Sequence, residues 1–167
     1  GIVGPGTAIS YAAFCMERRG HDAADGSGDF HFHLDPLWTD ENVDFVGIDW
    51  YAPLTDWRDG ALHADAALGD AITADGVLQT GIEGGEDYDW YYASEEDRAA
   101  QVRSPISDGA YGKPFVWRAK DIRGWWSHAH VNRVGGVETG ATDWVPGMKP
   151  VRFTEVGCPA VDKGSNQ

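Results

Sequence analysis

The stretch Val43 to Tyr51, VDFVGIDWY, constrains the fold of this chain more than any other. A half-exposed strand alternates apolar and polar side chains, whereas a strand covered on both faces reads as nearly continuous apolar sequence. This stretch is of the second kind. Alternation puts Val46, Ile48 and Trp50 on one face and Phe45, Gly47, Asp49 and Tyr51 on the other. Its polar members Asp49 and Tyr51 gather at the C-terminal end, where a parallel barrel carries its chemistry.

Two further strands are predicted. Thr7 to Ala13 follows a Gly-Pro-Gly turn with β-branched and aromatic residues. Pro150 to Val156, PVRFTEV, is led by a proline and places Val151, Phe153 and Glu155 on one face. Arg152 and Thr154 then turn towards a helix layer, which suits an arginine poorly unless its stem snorkels. Between Leu54 and Gly147 no comparably clear strand is visible, and Gly, Asp and Trp are frequent. Helices are predicted there from a Ser94 cap to Arg103, with Glu95, Glu96 and Asp97 in the first turn. A weaker one spans Asp75 to Glu83, and a third spans Lys120 to Ser127, with Ile122, Trp125 and Trp126 on one face.

The chain's 167 residues, 42% of them hydrophobic, suffice for one packed domain. The 27 acids against 13 bases exclude nucleic acid as a partner, because a phosphate backbone is bound by cations that displace its counterions. No apolar run approaches the roughly 20 residues of a spanning helix, so no membrane insertion is expected. Cys15 and Cys158 lack the paired spacing of a zinc or redox motif and read as free thiols. The glycine pairs Gly84–Gly85 and Gly135–Gly136 lack the strand-to-helix setting of a nucleotide loop, and no cofactor is expected.

Glu155 is the leading candidate for chemistry, since retaining glycosidases place a carboxylate nucleophile at the tip of a barrel strand. A second carboxyl group, roughly 5 to 9.5 Å away, is needed to protonate the leaving oxygen. By itself a strand-end glutamate is more often solvated or ion-paired. Tyr51 could orient it and Asp49 could bind a sugar hydroxyl, or both could be ordinary loop-edge polarity. Among eight tryptophans, Trp57, Trp90, Trp125 and Trp126 lie in the loop-rich middle and are candidate sugar platforms, although core packing accounts for most buried rings. A rival reading takes His31 and His33, followed by Asp35, as metal ligands on one strand face, with His128 and His130 repeating the spacing. Two histidines do not define a metal, and no metal site is assigned.

Three strings, ISYAA at 9 to 13, VDFVGIDWYAPL at 43 to 54 and KPVRFTEVGCPAVDKGSNQ at 149 to 167, resemble late strands of a mannanase-like TIM-barrel glycosidase. PLTDWRDG, GGEDYDWYYAS and SDGAYGKPFVWRAKDIRGWW narrow the match. They resemble the TIM-barrel-like domain of gene transfer agent proteins, large tail-tip polypeptides of phage-like particles. The resemblance implies an α/β fold: a partial (β/α)8 barrel, about strands 5 to 7, with a long insertion at 55–147 between the last two strands. Residues 1–167 would form one incomplete TIM-barrel-like domain, since a whole barrel takes about 250 residues.

On this resemblance Glu155 is the nucleophile position and Tyr51 its neighbour. The acid/base glutamate of such barrels ends the fourth strand, which this chain is expected to lack, together with the eighth. Phe14, Cys15 and Met16 depart from the family's Asp-Trp-type pair. The implied function is a tail module, assembled in the bacterial cytoplasm, that binds and in its parent protein hydrolyses cell-envelope polysaccharide or peptidoglycan. The alternatives are an inactive structural module packed against other tail subunits and a metal-dependent barrel hydrolase. Open sheet edges predict poor solubility for the piece alone.

Overall fold

The computed structural model describes residues 29–68, 75–106 and 118–166, together with the backbone of Ile9–Ser10. The remainder of the predicted first strand, the loop at 20–28, and Phe14, Cys15 and Met16 lie outside the described residues. The chain divides into two compact units, one of residues 1–50 and 122–156, the other of residues 51–121 and 157–167.

In the first unit, strands β1 (Ile9–Ser10), β2 (Val46–Trp50) and β7 (Val151–Val156) form a parallel sheet in the order β1-β2-β7. These are the three strands predicted from sequence. Val46 and Ile48 are almost wholly buried, as the apolar run requires. No closed barrel forms among the described residues. The sheet is joined by α1 (Asp35–Trp38), α4 (Ile122–Ser127) and a hairpin of β5 (Val131–Val134) and β6 (Val137–Ala141). The hairpin is antiparallel and turns at Gly135 and Gly136, whose φ angles of 56° and 76° suit a two-residue type I′ turn. Both strands lie within 55–147, where the sequence reads as loop and helix with no comparably clear strand.

The core of this unit is aromatic. Trp38, Trp144, Trp125, Phe30 and Phe32 are buried with Val43, Val46 and Ile48. At its centre lies His130, which has no exposed surface and is stacked between Phe32 at 4.0 Å and Trp144 at 5.1 Å.

The second unit contains α2 (Asp75–Thr80), β3 (Trp90–Tyr91), α3 (Glu95–Ala100) and β4 (Ser104–Pro105), with β3 and β4 antiparallel. Ser94 caps α3 as predicted, accepting from the Asp97 amide at 3.1 Å. The helix stops at Ala100, three residues before the expected end. Gln101 takes a left-handed conformation, φ 52°, and the Val102 amide turns back to the Asp97 carbonyl. Helix α2 likewise stops short of Glu83, at Gly81, where a Cβ atom would stand 2.2 Å from the Leu54 carbonyl oxygen. Only glycine permits that approach. The final residues complete the unit: the Leu54 amide donates to the Ser165 carbonyl at 2.9 Å, and the Trp57 amide to the Asn166 side chain at 3.0 Å.

Candidate functional site

The register between β2 and β7 sets the geometry of the strand tips. Val46, Gly47 and Ile48 align with Val151, Arg152 and Phe153, after which β7 gains one residue and Asp49 aligns with Glu155. Thr154 is the extra residue of a bulge, a device that re-aims side chains. Its hydroxyl donates to Asp49 Oδ1 at 2.6 Å. Thr154 therefore does not turn away from Asp49 as simple alternation predicts, because the bulge breaks that alternation at this point. Arg152 lays its guanidinium over the Phe45 ring at 4.6 Å, which accounts for a cation on this strand. Glu155 is exposed and Asp49 half-buried, so both carboxylates sit at the C-terminal, accessible end of the sheet. Tyr51 is 46% exposed and belongs to the second unit.

The candidate tryptophans separate. Trp125 is buried against Trp144 at 4.6 Å and His130 at 5.0 Å, so its faces serve the core instead of a sugar. Its neighbour Trp126 is 37% exposed and donates its indole hydrogen to the Lys149 carbonyl at 2.7 Å. Trp57 lies edge-on to His63 at 4.4 Å, its backbone clasped by Asn166. Trp90 lines a cleft of about 180 Å³ in the second unit, together with Asp56, Asp65, Glu86 and Arg103.

The acids of that cleft escaped sequence reasoning because they come from separate segments. Asp56 accepts from Tyr92 at 2.5 Å, Gln101 at 2.9 Å and Arg103 at 2.8 Å, and pairs with Arg58 at 2.9 Å. Burial pushes its carboxyl upward, but the hydrogen bonds from Tyr92, Arg103 and Gln101 prevail and hold it below the usual carboxylate range. Arg103 also reaches Asp65 at 2.9 Å and lies over the Trp90 ring at 4.2 Å. Placing Arg103 in the helix, as the sequence suggests, would take it from both acids. Arg98 holds Glu86 with both terminal nitrogens, at 2.5 and 3.3 Å. Lys120, predicted to begin a helix, instead lies in a turn and is buried, donating to the Gly81 and Gly84 carbonyls at 2.7 and 3.0 Å. Burial lowers its ammonium to about 8, against the pull of Asp87, Glu86 and Asp89.

The histidine pairs do not assemble a metal centre. His31 and His33 do not lie on a strand as the metal reading requires, His33 being in the turn before α1, and their ring centroids are 5.4 Å apart, with Phe30 and Phe32 buried. Asp35, however, is directed to His130 Nδ1 at 2.7 Å and Thr142 at 2.5 Å. His128 is exposed and contacts the Gly124 carbonyl at 2.7 Å, whereas His130 Nε2 meets the Trp125 carbonyl at 2.8 Å. No group of three or more candidate metal ligands occurs among the described residues. Cys158 is a free, exposed thiol. Among the described residues, no helix is long and apolar enough to cross a membrane.

A family model described as the GTA TIM-barrel-like domain matches residues 1–167. No curated protein matches the chain. The chain therefore belongs to the gene transfer agent TIM-barrel-like domain family, which has a barrel-like α/β fold and links it to gene-transfer-agent particles.

Proposed function

We propose, with membership of that family as the premise, that this domain binds cell-envelope glycan at the tail tip of the particle. Contact is made through the C-terminal ends of β2 and β7. The observation that carries the reading is the alignment of exposed Glu155 with Asp49 across the bulge. Neighbouring strands run about 4.8 Å apart, so two aligned carboxylates can flank a single sugar ring. Glu155 stands at the nucleophile position of a retaining glycosidase, and Asp49, held by Thr154, accepts a sugar hydroxyl. Turnover also requires a second carboxyl group to protonate the leaving oxygen.

Release of reducing sugar from purified peptidoglycan and β-linked glycans, by the parent protein beside its Glu155→Gln variant, tests this. Turnover that disappears in the variant supports the nucleophile assignment; turnover that survives rejects it.

A second reading, docking to other tail subunits, is favoured by Val134, Val137 and Val145, which are 51, 67 and 60% exposed on the hairpin and the loop after it. It predicts no glycan turnover or binding by the parent protein, with assembly lost when Val137 is changed to Asp.

A further inference from the structure

The cleft is built by residues of the second unit and the strand tips by residues of the first, and the chemistry of the cleft is specific enough to name a ligand class. We propose that it binds one uncharged, hydroxyl-rich ring, a single neutral sugar residue or a molecule of that shape.

Size sets the first limit. About 180 Å³ is well below the roughly 300 to 1,000 Å³ of pockets that hold larger ligands, so the space suits one ring and not a chain of them.

Charge sets the second. Asp56, Asp65 and Glu86 line the cleft, and each is already matched to a guanidinium: Asp56 to Arg58 and Arg103, Asp65 to Arg103, Glu86 to Arg98. Asp56 and Glu86 are 5 and 4% exposed, so these pairs are built into the unit. Every carboxylate lining the cleft is thus already ion-paired, with Arg103 itself part of the lining. A charged ligand would be stripped of water there without gaining a counter-ion. A neutral ligand meets no such penalty.

The third limit is hydrogen-bonding direction. Arg103 takes only Oδ1 of Asp65, a carboxylate that stays 20% exposed, and leaves its other oxygen as an acceptor for a ligand hydroxyl. Trp90 contributes an aromatic wall beside it, and Leu54, Leu68 and Val77 an apolar one. That combination of acceptor, ring and apolar surface is suited to the alternating O–H and C–H faces of a sugar.

The wall is also fixed in advance. Lys120 ties together the carbonyls of Gly81 and Gly84, in the turn whose Gly81 and Gly85 line the cleft. A Cβ at Gly84 would stand 2.4 Å from the Thr80 carbonyl oxygen, so only glycine permits this close approach. Preformed walls reduce the ordering cost of binding.

Methyl NMR of the whole chain, titrated with N-acetylglucosamine, glucosamine and glucuronate, tests the proposal. Saturable shifts of the Leu54, Leu68 and Val77 methyls are expected with the neutral sugar, at least tenfold weaker with the cationic and anionic ones. The shifts should vanish in Trp90→Ala and weaken in Asp65→Asn, while the Val102 and Ile106 methyls, which belong to the same unit but do not line the cleft, keep their positions as a control for folding. If the neutral sugar moves none of the cleft methyls, or all three sugars move them equally, the proposal is overturned. None of these outcomes depends on Glu155, so the strand-tip reading stands or falls separately.

Discussion

The two units bury different mixtures of side chain. The first hides tryptophan, phenylalanine and valine around three polar groups, Asp35, His130 and Arg133. In the second, the side chains most withdrawn from water among the described residues include Asp56, Glu86, Asp87 and Lys120, with Tyr92 as a large apolar-bodied group among them. Apolar burial is non-directional and tolerates small displacements, whereas buried charge is favourable only while every partner stays in place. The first unit thus relies more on area and the second more on matched geometry. The contrast teaches that two parts of one chain can be held by different physics, since a polar interior is weak evidence for stability but imposes exact geometry.

The sharpest test of this contrast is Trp38→Ala. Trp38 is 1% exposed, and emptying its site should cost about 3 to 5 kcal/mol, read as a fall in the denaturation midpoint of the first unit. A loss below about 1 kcal/mol would mean that the aromatic core is not what holds that unit.

Lys120 supplies a test of the second. Its folded ammonium titrates near 8, below its ordinary value of 10.5, so between these values the unfolded chain binds more protons. Burial therefore penalises the folded state fully below pH 8, and stability rises as pH climbs from 8 to 10.5. The gain should be about 1 to 3 kcal/mol and should be absent in Lys120→Met, the two proteins being compared by urea unfolding at each pH. Parallel curves for the two would remove Lys120 as the source.

The smallest effect is expected at Ser94→Ala, which deletes the side-chain cap of α3 and should cost about 1 kcal/mol. Because Arg98 of that helix holds Glu86, amide exchange should accelerate around Glu86 while the first unit is unchanged.

What sequence made legible follows from how local each signal is. Strand β2 was readable because burial on both faces leaves a continuous apolar run, and the cap of α3 because Ser94 and its three acids are adjacent. The β5–β6 hairpin is hard to read although its turn signal is present: Gly135–Gly136 lacks the setting of a nucleotide loop, and only the flanking strands mark it as a type I′ turn. Its second strand, VETGA, is exposed throughout and carries no apolar pattern. His130 and Asp35 are 95 residues apart and could be joined only by the fold. The cleft acids have the same difficulty, and Arg103 was misplaced because a left-handed residue at Gln101 ends the helix without a glycine to announce it. Glu155 was identified correctly as a strand-end residue. Its level relative to Asp49 was not readable, because a bulge leaves no mark in composition.

The path of the chain has a consequence for how each unit closes. Strand β2 pairs with β7 about a hundred residues later, and the Leu54 amide reaches further still, to the Ser165 carbonyl. Both units are thus closed by contacts of high sequence separation, which lose loop-closure entropy before any contact energy is gained and make folding slow.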